Sequence, residues 1–201
     1  MAVVLLFGVA VGGTIAWLQD KTEVVTNTFV TGNIDIELDE TWNTDEDKDG
    51  TNDKWEVKLI PGTDYKKDPY VTVKANSEKC WVFVKVEDPN NELINGTKTV
   101  QYTIDTANWT LVTGETNVYY YNTPFEYSDT DYAPVYVFAG KGNGEYKNGY
   151  VTINSGLTKE MMNPAEGEDE YDTPAISITA YAVQYDNFDS ASAAWDATYG
   201  A

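Results

Sequence analysis

The residues best suited to chemistry in this 201-residue chain are hard oxygen ligands. From Asp45 to Glu56 the sequence reads DEDKDGTNDKWE, with Asp45, Asp47, Asp49 and Asp53 at positions 1, 3, 5 and 9 of a twelve-residue loop. Gly50 falls at position 6, Thr51 at 7 and Glu56 at 12. This is the oxygen spacing of an EF-hand calcium loop. Alternate side chains point inward as the chain curls round the ion, and Gly50 supplies the sharp turn. Thr51 offers a main-chain carbonyl, Asp53 acts through water and Glu56 clamps with both oxygens. The expected cofactor is therefore calcium, in a structural role. Two features depart from the pattern. Asn52 stands at position 8, where an aliphatic residue is usual, and the flanks IDIELDE and WEVKLIPG alternate like strands instead of reading as helices. The plain alternative is a solvated acidic turn, although carboxylates crowded between Asp45 and Asp53 repel one another without a cation. Extracellular calcium modules work at roughly 10⁻⁴ to 10⁻³ M, so even a weak loop fills outside the cell and contributes order, not catalysis.

Composition narrows the chemistry further. The chain has no histidine and a single cysteine, Cys80. HExxH and three-His zinc sites, Ser-His-Asp triads and Cys-His pairs are thereby excluded, as is an intrachain disulfide. Cys80 lies in EKCWVFVKV and reads as a small buried hydrophobe. Thirteen basic residues against 33 acidic ones leave a net charge of −20. Such a surface has no affinity for nucleic acid, which needs clustered Lys and Arg. Paired carboxylates could serve a hydrolase, but no spacing singles out a pair, and the expectation is no enzyme.

The first 19 residues carry no charged side chain. An apolar block from Val3 to Val11, followed by Gly12-Gly13-Thr14-Ile15-Ala16, has the form of a signal peptide over 1–16, with Thr14 and Ala16 as the −3 and −1 residues of the cleavage site. A membrane span wants about 20 apolar residues, and the glycines with the Asp20-Lys21 boundary argue against one. No Lys or Arg precedes the apolar block, so the basic n-region is missing or trimmed.

The elements that must position these residues are strands. Val, Thr and 15 Tyr dominate the palette. Ile34, Ile36 and Leu38 alternate after the Gly32-Asn33 break; WEVKLIPG reads as a strand ended by Pro61-Gly62. YVTVKANSEKCWVFVKVED reads as a hairpin turning at Asn76-Ser77-Glu78. Its second strand sets Trp81, Phe83 and Lys85 on one face and Val82, Val84 and Val86 on the other, the mark of a central strand. VQYTIDTANWTLV, NVYYYNTPFEY, APVYVFAG, YVTINSG and PAISITAYAVQYDNF supply more strands. Only LTKEMM and the tail DSASAAWDATYGA read as short helices, and NPAEGEDEYD (163–172) reads as a solvated loop. The fold class is all-β: a jelly-roll-like antiparallel β-sandwich with short helical segments. One domain over 31–201 carries the 45–56 loop as an insertion.

VGGTIAWLQDKTEVVTNTFVTGNIDIELDE resembles the amino-terminal region of the TasA/camelysin family of exported biofilm-matrix proteins. The run Gly12-Gly13-Thr14-Ile15-Ala16 before Trp17-Leu18-Gln19-Asp20 is similar to that family's processing site, and Phe29, Gly32-Asn33 and Asp35 continue the pattern. IPGTDYKKDPYVTVKANSEKCWVFVKV and ITAYAVQYDNF are similar to its middle and closing strands. The likeness covers about half of the chain; 98–170 do not match, and the acidic loop stands as an insertion. The resemblance implies a secreted subunit at the cell surface or in a biofilm matrix, processed by a dedicated signal peptidase. It implies head-to-tail homo-oligomers built by donor-strand complementation, with a cell-envelope anchor as a further partner. The donor would be 17–30, where Trp17, Val24, Val25, Phe29 and Val30 lie in a run free of Gly and Pro. Pairing of this segment within its own subunit is the plain alternative. Protease activity, described for some members, is not expected here, for want of His and HExxH. A competing reading is a monomeric, calcium-stabilised cell-surface binding module, carbohydrate-binding or adhesin-like, with Trp109 and Tyr121 among its stacking residues.

Overall fold

A computed structural model describes residues 33–41, 57–142, 144–162 and 173–200, all within the compact unit Gly32–Ala201. The described chain is mostly antiparallel β-structure with one short α-helix, and its open sheets are those of a β-sandwich. Numbered in chain order, one sheet runs β1 (Ile36–Asp39), β3 (Tyr70–Val73), β10 (Val135–Tyr136). A second runs β12 (Ser177–Gln184), β4 (Cys80–Glu87), β9 (Val118–Tyr121), β8 (Trp109–Leu111). A third runs β2 (Asp64–Lys66), β11 (Tyr150–Ile153), β7 (Val100–Gln101). A small hairpin joins β5 (Leu93–Ile94) to β6 (Thr97–Lys98) through Asn95 and Gly96, both at positive φ (52° and 82°), as a two-residue primed turn requires. Every strand pairing is antiparallel.

β4 is central, as its two apolar faces require. Val82, Val84 and Val86 enter the main core with Val71 and Val73 of β3, Val137 and Phe138 beyond β10, and Val151 and Ile153 of β11. Phe83, on the opposite face, packs with Val112, Val118, Val183, Ala194 and Trp195. The helix α1 (Ala191–Thr198) covers that second face. Ser190 caps it, its hydroxyl oxygen accepting the Ala193 N–H at 3.2 Å. The second helical run is a single 3₁₀ turn, Glu160–Met162. Cys80 is fully buried, and burial pushes its thiol up to about 11.

Two strand expectations need correction. β3 and β4 do not form a hairpin: β3 pairs with β1 and β10, and β4 with β12 and β9. Val71 and Val73 share one core with Val82, Val84 and Val86, so the two runs must face each other from different sheets. The connection crosses at Asn76, at φ 63°. Buried Ser77 holds it to the entry of β1, its hydroxyl accepting from Asp35 N at 3.0 Å and donating to Asp35 O at 3.1 Å. The second correction is at WEVKLIPG, where 57–60 carry no strand. Ile60 is half exposed and its N–H turns back onto Lys58 O. The Pro61-Gly62 turn stands, with Gly62 at φ 75°.

Candidate functional site

The loop ligands Asp45, Asp47, Asp49, Thr51, Asp53 and Glu56 lie outside the described residues. So do the donor residues Trp17, Val24, Val25, Phe29 and Val30, the cleavage residues Thr14 and Ala16, and the acidic run 163–172. The root of the acidic loop is described, as is the edge a donor would need.

At the root, β1 ends in Asp39, Glu40 and Thr41, opposite Lys66, Lys67, Asp68 and Tyr70. Asp68 is 1% exposed. Its Oδ2 accepts the Thr41 hydroxyl at 2.6 Å and its Oδ1 the Thr41 N–H at 3.2 Å. Lys66 Nζ stands 3.1 Å from Asp68 Oδ2 and donates to Thr41 Oγ1 at 2.8 Å. Buried Lys67 pairs with Glu40 Oε1 at 2.7 Å, while Glu40 Oε2 is buried without a hydrogen-bond partner among the described residues. The Tyr70 hydroxyl donates to Asp39 Oδ2 at 3.1 Å; burial, then the Asp39 carboxylate, push that phenol up to about 12. Among the described residues no cluster of three or more Asp, Glu or Cys is arranged to hold a metal ion. The Asp68 and Glu40 contacts tie Glu40 and Thr41 to 66–68.

The second feature is an open edge. In β12, Tyr185 N–H bonds to Lys79 O, and the register Ser177↔Glu87 to Gln184↔Cys80 runs without a slip. Antiparallel alternation then gives Ser177, Thr179, Tyr181 and Val183 the bonds to β4. The backbone groups of Ile178, Ala180 and Ala182 point away from it, and among the described residues no strand receives them. In β1, the Lys74 N–H to Asp35 O bond fixes the same parity. Ile36 and Leu38 therefore turn their backbone groups outward. The two edges come within 8 Å, Cα to Cα, without pairing. Ile34, Ile36, Ile176, Ile178 and Ala180, partly buried, flank the main core along this side, and Leu38 is 36% exposed.

The aromatics proposed for stacking divide. Trp109 is 1% exposed and donates its Nε1–H to Tyr136 O at 2.7 Å. Tyr121 stacks on Phe125 and meets Trp109 edge-on. Trp109 belongs to the core, and Tyr121, half-buried, packs against it as its cross-strand partner. Tyr119, two residues earlier, instead lines a cleft of about 680 Å³ with Tyr102, Asp88, Lys98, Thr116, Asn117 and others. Burial, then the Asp88 charge, raises the phenols of Tyr102 and Tyr119, so both stay neutral hydroxyls. Sequence reasoning missed this cleft because its walls come from segments far apart in the chain.

Among the described residues no helix is long and apolar enough to cross a membrane. Compared with protein-family models, curated proteins and solved structures, the chain matches none of them.

Proposed function

We propose that the chain is a secreted structural subunit of an extracellular or biofilm-matrix filament, of the kind the TasA/camelysin resemblance implies. After removal of 1–16 by a signal peptidase, segment 17–30 of one subunit adds as a strand to its neighbour. No catalysis is assigned to it. The observation that carries this reading is the edge of β12, eight residues long, which pairs with no other strand among the described residues. Long, uncharged open edges invite strand addition. Here the outward backbone groups of Ile178, Ala180 and Ala182 would bond the donor, and the partly buried isoleucines on β1 and β12 would receive its alternate side chains. A strand seated between two others needs roughly 9.6 Å, twice the strand spacing. The edges stand within 8 Å, so the donor must part them. A contact in which one subunit's segment fills the next subunit's edge does not close on itself and yields a fibre. Calcium in the 45–56 loop stiffens the subunit at the far end of β1.

Negative-stain electron microscopy of the protein from Trp17 onward, in millimolar calcium, tests this. Regular filaments that vanish when 17–30 are deleted, with the core still folded, are the expected result. Monomers under every condition would sink the reading and return 17–30 to the subunit's own sheet.

A further inference from the structure

The cleft beside Asp88 has features that strand assembly does not use. The Asp88 carboxylate sits at the end of β4, 18% exposed. All of its described bonds fall on one oxygen: Oδ2 accepts from Lys98 Nζ, from the Tyr102 hydroxyl at 3.1 Å and from Asn91 Nδ2 at 3.2 Å. Oδ1 receives no hydrogen bond among the described residues. A carboxylate held by three donors through one oxygen presents the other in a fixed direction, so a ligand bonding to it finds the group already ordered. Tyr102 is fixed in turn by stacking on Phe138, at 4.9 Å between ring centroids and 25° between planes.

The remaining lining sets the ligand's chemistry. Tyr102 and Tyr119 supply apolar ring surface with a hydroxyl at its end. Thr116, Asn117 and Ser177 add hydroxyl and amide groups. Each carboxylate of the cleft has its own lysine: Asp88 pairs with Lys98, and Glu87 with Lys85 at 2.8 Å. Both carboxylates are thus already paired with a lysine ammonium, Lys85 standing outside the lining, and the chain's charge of −20 repels anions. A volume of about 680 Å³ is within the range of small-molecule sites. A ligand with apolar C–H faces, many hydroxyls and no charge satisfies all of these conditions together.

We propose that this cleft binds a neutral saccharide, one hydroxyl of which donates to Asp88 Oδ1 while a ring face lies against Tyr119. The site stands at the β4–β9 end of the sheet and does not depend on the assembly reading. A fibre subunit carrying it would hold polysaccharide along its length.

Saturation-transfer difference NMR on the full chain tests it, because the signal is read on the sugar and survives assembly. The probes are tetrasaccharides of glucose, mannose, galactose and N-acetylglucosamine at millimolar concentration. Transfer to at least one of them is expected. Ser177→Trp should abolish it by filling the cleft from an exposed position, with circular dichroism unchanged. Asp88→Asn should weaken it by roughly tenfold, the scale of a hydrogen bond to a charged group. No transfer to any of the four sugars, or transfer that persists in Ser177→Trp, overturns the proposal.

Discussion

The Thr41 hydroxyl lies 2.6 Å from Asp68 Oδ2, across 27 residues of chain that include the whole acidic loop. This one carboxylate closes the base of an excursion whose own acidic residues repel one another. Asp68→Ala should leave Thr41 and Lys66 without their buried acceptor and destabilise the fold by about 3 kcal/mol. Urea unfolding at pH 7 measures it; a loss within error of zero would mean that the loop root is not part of the cooperative unit.

Calcium should act through the same excursion. With an affinity in the extracellular range, about 5 mM calcium adds about 1–2 kcal/mol to the folded state. Thermal unfolding in calcium and in EDTA checks this. Glu56→Gln, which removes the charge of the bidentate ligand, should erase the difference. Equal midpoints for the unaltered chain would assign 45–56 to a solvated turn.

Ala180→Pro separates folding from assembly. The Ala180 N–H points away from β4, so proline removes no bond of the ladder and should cost the subunit about 1 kcal/mol. It does remove a donor from the open edge and sets a ring against any added strand. Filaments should disappear from micrographs while the subunit still unfolds cooperatively, with its midpoint lowered by about 2–4 °C. Filaments of normal length would show that the accepting edge is elsewhere.

The Asp64 carboxyl is held below its ordinary value of 3.8, first by the Lys141 hydrogen bond and then by Thr152. A depressed carboxyl pKa contributes stability that is complete above the unfolded value and is lost as pH falls through the folded one. The contribution is thus present at neutral pH and fades below about pH 4. Asp64→Asn should be less stable than the unaltered chain at pH 7, and the two should converge by about pH 2 in acid titrations followed by circular dichroism. A difference that stays constant with pH would assign Asp64 a packing role only.

Cys80 should be silent while the protein is folded. It is fully buried and its thiol is pushed up to about 11, so almost no thiolate exists at pH 8 and reagents have no access. Iodoacetamide labelling should track global unfolding as urea is raised. Rapid labelling in native buffer would reveal local opening between β4 and Phe125, with which Cys80 forms an isolated bridge.

The periodicity that exposed β4 and β12 is that of long strands whose alternation survives over eight residues. Both were legible for that reason, and the tail helix was legible from its alanines. What failed was pairing. The turn-like Asn76-Ser77-Glu78 marks where the chain bends and does not say whether it returns along the same sheet; the shared valine core decided that. Trp109 and Tyr121 could be offered as stacking residues because a short strand does not tell which side its neighbours cover; the fold pairs them across β8 and β9. Asp88, Lys98, Tyr102 and Tyr119 carry no local motif, and only the fold gathers them. The loop, donor and cleavage residues fall outside the described chain and rest on spacing and resemblance.

Phe83 and Val84 are consecutive residues that belong to different cores, and α1 covers the core that holds Phe83. If the helix were to lift, Phe83, Val118 and Val183 would be bared together on a broad flat sheet. An apolar patch of that kind is adhesive towards any other protein, including unassembled copies of the same chain. The capped helix is thus a guard against disorderly clumping, separate from whatever orderly association the backbone edge of β12 permits.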